Sequence, residues 1–186
     1  WPSDSVAVHR PGYEAEKEKL STFAGWVFFR DRAPDDPKVV GGMRHRAMNK
    51  WPDPNLLPAF RPTLQRYHGA MLDLGLKLVP IYALALGLPD DYFADDFADG
   101  EWYSRSNFSS GRANREGEMA TNAHSDHSFL TLLPMSKVPG LEVRAPGGDW
   151  FPVDHVPNGN IVNTGEWLNQ LSNGRFLATP HRVNQP

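Results

Sequence analysis

The chain has no cysteine, which excludes a disulfide framework and any thiolate metal site. It also lacks a long hydrophobic run. The longest uncharged stretch, Leu78 to Pro89, is too short to cross a bilayer. Nor is there a surplus of charge. The 19 Lys and Arg against 22 Asp and Glu leave a net charge of −3, so neither a nucleic-acid partner nor an anionic membrane surface is expected. The opening Trp1-Pro2 carries no signal-peptide pattern. These absences together predict a reducing, cytoplasmic setting.

What is present is enough chain for one domain, 186 residues, with a sizeable core. The 17 prolines are scattered as punctuation. Phe23 to Arg30 reads as a short buried strand, and Asp31 to Pro37 as a loop. From Pro62 to Gly87 apolar residues recur at Leu64, Tyr67, Met71, Leu74, Leu78, Ile81 and Ala85, one face of a helix. Pro80 should kink or split it, and His68 falls at the edge of the stripe. An acidic linker follows to Gly100. Strand-like chain begins at Glu101, with Trp102, Ser104, Ser106 and Phe108 on one face and Tyr103, Arg105, Asn107 and Ser109 on the other. A polar loop, Ser110 to Thr121, either closes over a site or merely connects the strands around it. Short strands then recur at Phe129–Leu133, Leu141–Arg144, Trp150–Val153, Asn160–Asn163 and Phe176–Ala178. With Gly and Pro turns between several of them, they predict an antiparallel double-sheet roll.

The stretch Asn122 to Leu133 holds His124 and Asp126 two residues apart. On a strand, positions i and i+2 face the same side, so an imidazole and a carboxylate would converge. The spacing alone does not separate this from a polar pair on a surface strand. A third donor must come from elsewhere, and His127, His155 and His181 compete. His127 is adjacent to Asp126 and would point away, while His155 sits in a turn-rich loop. His181 opens a β-prone run in T-P-H-R-V. Two histidines and a carboxylate on one face of an ion leave the opposite face open, a set that suits non-haem ferrous iron.

The residues from Asn122 to Val183 resemble the isopenicillin N synthase-like branch of the iron(II)/2-oxoglutarate-dependent oxygenases. The resemblance rests on H-S-D-H-S-F-L-T-L-L at 124–133, V-P-G-L-E-V at 138–143, G-G-D-W at 147–150, I-V-N-T-G-E-W-L at 161–168, S-N-G-R-F at 172–176 and T-P-H-R-V at 179–183. Ahead of them, Arg10-Pro11-Gly12-Tyr13 and the N-x-W-P…F-R run from Asn49 to Arg61 resemble further family segments. Two departures are mild: the family usually has Thr at the place of Ser125 and Asp at the place of Glu166.

The resemblance implies an α+β fold, with a double-stranded β-helix (jelly-roll) core and a long helix packed outside the sheet. It implies one oxygenase domain over 1–186, helical and irregular to residue 100 and jelly roll from 101, and a fragment of the full domain. Its metal ligands would be His124, Asp126 and His181, with Fe(II), 2-oxoglutarate and O2 as cofactor and cosubstrates. It would oxidise, above all hydroxylate, a small molecule of specialised metabolism, releasing succinate and CO2. A family tyrosine that touches 2-oxoglutarate is matched by Phe108, or by Asn107 after a slip of one residue. The main 2-oxoglutarate-binding arginine, in an Arg-x-Ser, is expected beyond Pro186, since Arg182, Arg175 and Arg105 are poorly placed for it. Glu166 and Arg175 are expected to form a structural ion pair. The alternatives are an iron-dependent oxidase of the same family that does not use 2-oxoglutarate, and a non-catalytic jelly-roll binding protein.

Overall fold

A computed structural model describes residues 20–21, 23–109 and 118–184. The R-P-G-Y motif and most of the 110–121 loop lie outside them. Strands β1 (Leu20–Ser21) and β2 (Phe23–Phe29) are followed by a short helix α1 (Pro37–Val40), the long helix α2 (Phe60–Ala85) and α3 (Ala94–Ala98). Then come β3 (Tyr103–Ser109), β4 (Glu118–Met119), β5 (Thr121–His124), β6 (Leu130–Pro134), β7 (Leu141–Arg144), β8 (Trp150–Pro152) and β9 (Asn160–Thr164). Helix α4 (Glu166–Leu171) and strand β10 (His181–Val183) complete the order. Among the described residues no helix is long and apolar enough to cross a membrane.

The last strand does not join the end of a sheet. Strand β10 inserts between β5 and β7, giving the antiparallel order β5-β10-β7-β8. Strands β6 and β9 form a separate antiparallel pair, as do β2 and β3, while β1 runs parallel to β4. Helices outside short antiparallel layers agree with the α+β, double-sheet expectation.

Helix α2 runs continuously through Pro80 rather than breaking there. Proline removes one backbone donor, but buried Val79 and Ala83 on either side anchor both halves to the core. The helix starts two residues earlier than expected, which places Pro62 in its first turn, where the missing amide costs little. The buried face is also rotated from the predicted stripe. Tyr67 and Ile81 are exposed, whereas His68, Val79 and Ala83 are buried. The buried set is the predicted set displaced by one residue, a rotation of about 100° around the helix. His68, Leu72, Gly75, Val79, Tyr82 and Leu86 repeat the same three-and-four spacing, and none of them is exposed.

Two cores result. Toward the N-terminus of α2, Phe28 (1% exposed) stacks on Trp51 at 5.0 Å and meets His68 at 5.6 Å. His68 is therefore an interior residue, not a boundary one. Asn49 of the N-x-W-P run joins this layer by accepting from the Phe29 amide at 2.9 Å and donating to the Phe29 carbonyl at 2.8 Å. Toward the C-terminus, Val79 and Ala83 pack with Phe93, Phe129 and Leu168. Phe129 lies three residues after Asp126, so this second core fixes the segment that carries the carboxylate.

Three local expectations are corrected. The strand expected over Phe23–Arg30 is only half-buried, because Trp26 and Val27 are exposed. The acidic linker holds the short helix α3, and residues 166–171, not expected to be helical, form α4. Phe176–Ala178 is not a strand. Its carbonyls are taken by side chains instead: Asn169 Nδ2 donates to Phe176 O at 2.7 Å, Thr164 Oγ1 to Leu177 O at 2.7 Å, and Ser125 Oγ to Ala178 O at 3.3 Å. This tied strap delivers the chain to His181.

Candidate metal centre

Register brings the two histidines together. In the β5–β10 ladder, His124 and His181 are Cα partners, with an irregularity between His181 and Val183. Directly opposed residues on antiparallel strands project to the same face, and the two imidazole centroids lie 4.3 Å apart. Each ring is fixed by the carbonyl two residues before it. His124 Nδ1 is 2.8 Å from Asn122 O, and His181 Nδ1 is 3.1 Å from Thr179 O. A carbonyl only accepts, so both Nδ1 atoms carry the proton and both Nε2 lone pairs are left available.

Asp126 supplies the third group, though not from the strand. Strand β5 ends at His124, so the i, i+2 argument does not by itself deliver the carboxylate. Contacts from the β9–α4 junction do: the Glu166 amide donates to Asp126 O at 2.7 Å, and Asn163 Nδ2 donates to Asp126 Oδ2 at 2.9 Å. The close approach requires Gly165, where a Cβ would lie 2.0 Å from Ser128 O. Asp126 Oδ1 then sits 3.7 Å from His124 Nε2 and 3.8 Å from His181 Nε2. One donor atom from each of His124, Asp126 and His181 lies within 4.8 Å of the others.

The electrostatics favour a neutral His124 imidazole. Desolvation pushes the His124 pKa down, reinforced by His181 and Arg105, against the raising effects of the Asn122 hydrogen bond and Asp126. Neutral imidazole is the form that binds a metal. The side chain of His124 is 42% exposed, while those of Asp126 and His181 are 15% and 13% exposed. The cluster is thus open on the His124 side. This donor set, two imidazole nitrogens and a carboxylate oxygen without thiolate, fits ferrous iron.

The other expected residues are placed as follows. His127 and His155 are exposed and stand outside the cluster. Arg182 turns to the opposite face from His181, donating to Glu142 Oε2 at 2.6 Å, with its guanidinium 4.1 Å from the Trp150 ring. Arg175 does not serve as an ion-pair partner for Glu166. It donates to the Ala85 and Leu86 carbonyls at the end of α2, where the helix leaves carbonyls unpaired.

The β2–β3 register places Asn107 and Phe108 on opposite faces. Phe28 opposes Ser104, Trp26 opposes Ser106 and Ala24 opposes Phe108. Trp26 and Phe28 pack on Phe60 and His68 of α2, so Phe108 stands on the helix-facing side, 70% exposed. The inward reading of Phe108 is therefore corrected. Arg105 and Asn107 share the other side, from which Arg105 acts on His124. Asn163 is the residue that sequence reasoning missed: it lies within a motif already singled out, but only the fold shows that it reaches Asp126.

Comparison with known proteins agrees with this geometry. The family model of the 2OG-Fe(II) oxygenase superfamily matches residues 103–186. The chain is similar to gibberellin 20 oxidase 2 of Oryza sativa subsp. indica, 35% identical over 133 residues, covering 69% of this chain and 34% of that protein. It is similar to isopenicillin N synthase of Streptomyces clavuligerus, 29% identical over 190 residues, covering 97% of this chain and 57% of that protein. Among solved structures, a 2OG-Fe(II) oxygenase family protein from Caulobacter crescentus superposes with a TM-score of 0.78 at 28% identity, covering 94% of this chain and 55% of that one. The chain spans between about a third and somewhat over half of these relatives.

Proposed function

We propose that this chain, whose residues 103–186 match the model of the 2OG-Fe(II) oxygenase superfamily, is the iron-binding part of an Fe(II)/2-oxoglutarate-dependent dioxygenase. In this reading, 1–186 is one oxygenase domain, and it oxidises, most readily hydroxylates, a small-molecule substrate with release of succinate and CO2. The observation that carries the proposal is the convergence of His124 Nε2, His181 Nε2 and Asp126 Oδ1. The names of the relatives point the same way, since a gibberellin oxidase and isopenicillin N synthase both refer to small molecules.

His124, Asp126 and His181 would hold the iron. The bound metal would supply dioxygen activation coupled to decarboxylation of 2-oxoglutarate. The protein's own residues do the positioning. The Asn122 and Thr179 carbonyls fix the imidazole tautomers, and the Ser125 bond to Ala178 ties the two ligand-bearing segments together. Asn107, beside Arg105 on the side of β3 from which Arg105 acts on His124, is the retained candidate for contact with 2-oxoglutarate, in preference to Phe108.

A second reading, an iron-dependent oxidase that does not use 2-oxoglutarate, is favoured by the match to isopenicillin N synthase along nearly the whole chain. Anaerobically prepared protein with Fe(II) and 2-oxoglutarate, then exposed to O2, separates the two. Succinate formed by the wild type and abolished by Asp126→Ala is the expected result. O2 uptake with substrate but without succinate would move the assignment to the oxidase, and neither signal would leave a non-catalytic binding protein.

A further inference from the structure

The two oxygens of Asp126 have different partners. Oδ1 is the atom that lies 3.7 and 3.8 Å from the two histidine Nε2 atoms. Oδ2 accepts a 2.9 Å hydrogen bond from Asn163 Nδ2. The donor is itself well fixed. Asn163 is an interior residue of β9, in register with Thr131 of β6, and its side chain is not free to flip. Turning the amide oxygen toward Asp126 would set it against a carboxylate, whereas the amide nitrogen donates to it. The neighbouring His181 Nδ1, 3.5 Å away, already gives its proton to Thr179 O. Three residues further along the same segment, the Glu166 amide grips the Asp126 carbonyl. The run from Asn163 to Glu166 therefore holds Asp126 by both its main chain and its side chain.

We infer that Asn163 is a positioning residue that selects Oδ1 of Asp126 as the single metal-binding oxygen and withholds Oδ2. The inference rests on the metal-centre reading above and deepens it. A carboxylate can bind a cation through one oxygen or both. Bringing Oδ2 to an ion shared with the histidines requires rotation about the Cβ–Cγ bond, which breaks the Asn163 hydrogen bond. A charge-assisted bond of this kind is stronger than one between neutral groups, enough to bias the choice. The functional consequence is coordination space. A carboxylate bound through one oxygen leaves about three positions on a six-coordinate ion for other ligands, and one bound through both leaves about two.

The test uses Mn(II) alone as the probe and reads the enhancement of water-proton relaxation, which reports exchangeable waters on the bound ion. Asn163→Leu removes the donor at similar volume. Asn163→Val does so with a side chain suited to a strand, in case the first variant folds poorly; circular dichroism and thermal melting check both. The expected result is that each variant still binds one Mn(II) while the enhancement per bound ion falls by about one third, from about three waters to about two. Folded variants that bind Mn(II) with wild-type enhancement overturn the inference and leave the metal centre standing. Loss of binding in both folded variants also overturns it, because Asn163 would then be needed for the ligand set itself. Equal Mn(II) binding by wild type and His181→Ala sinks both the metal centre and the inference.

Discussion

Two regions of this molecule desolvate histidine to different depths, and they place it in opposite ways: His68 is 6% exposed, whereas the His124 side chain is 42% exposed. Around His68 the neighbours are rings: Trp102 at 4.9 Å, Phe28 at 5.6 Å and Tyr67 at 5.8 Å. Its Nε2 is buried without a hydrogen-bond partner among the described residues. Around His124 and His181, each Nδ1 is committed to a carbonyl and each Nε2 faces Asp126 Oδ1. Burial pushes the pKa of both His68 and His124 below the usual imidazole value. The same direction of shift accompanies a packing residue in one region and a candidate ligand in the other. What separates them is exposure together with the partner of the second nitrogen.

The largest break in this comparison is expected at the carboxylate. Asp126→Ala removes the one charged donor, and isothermal titration should show Fe(II) or Mn(II) affinity falling about a thousandfold or more, with little change in melting temperature. The opposite pattern is expected in the ring cluster. Phe28→Ala empties a fully buried site and should cost about 3–5 kcal/mol in denaturant unfolding, while metal affinity of the folded fraction stays close to wild type. Gly165→Ala couples the regions. Its Cβ cannot coexist with Ser128 O, so relief of that clash should cost about 1–3 kcal/mol and weaken metal binding by shifting Asp126.

The smallest effect sharpens the contrast through pH. With the folded pKa of His68 lowered, the unfolded chain takes up the proton first as pH falls. The stability linked to His68 is present in full above its unfolded value near 6.5 and is lost as pH falls through the lowered folded value. His68→Leu removes this titration and the buried unpartnered nitrogen. It should raise stability by about 1 kcal/mol near neutrality and flatten the decline on acidification, both read from urea melts across pH.

How much of this was legible in the sequence depended on how local the determining contacts are. The cluster of His124, Asp126 and His181 was readable because its motifs are short and ordered, although Asp126 lies past the end of β5. The long helix was readable too, but not its buried face, because its apolar residues lie all around it and only packing against Phe28, Phe129 and Leu168 selects a side. Strand Phe176–Ala178 was misread because side chains from Ser125, Thr164 and Asn169 take the place of a ladder, and no local pattern announces that. The roles of Asn163 and Gly165 depend on a contact across 37 residues, from Asn163 to Asp126. Phe108 was matched by distance along the chain, whereas its face is set by pairing with β2.

The central claim is that His124, Asp126 and His181 bind one divalent ion, and anaerobic titration with Fe(II) of wild type, His181→Ala and His155→Ala tests it most directly. The account predicts one ion per chain for the wild type, the same for His155→Ala, and loss of the site in His181→Ala. Wild-type binding by His181→Ala together with loss in His155→Ala would contradict it.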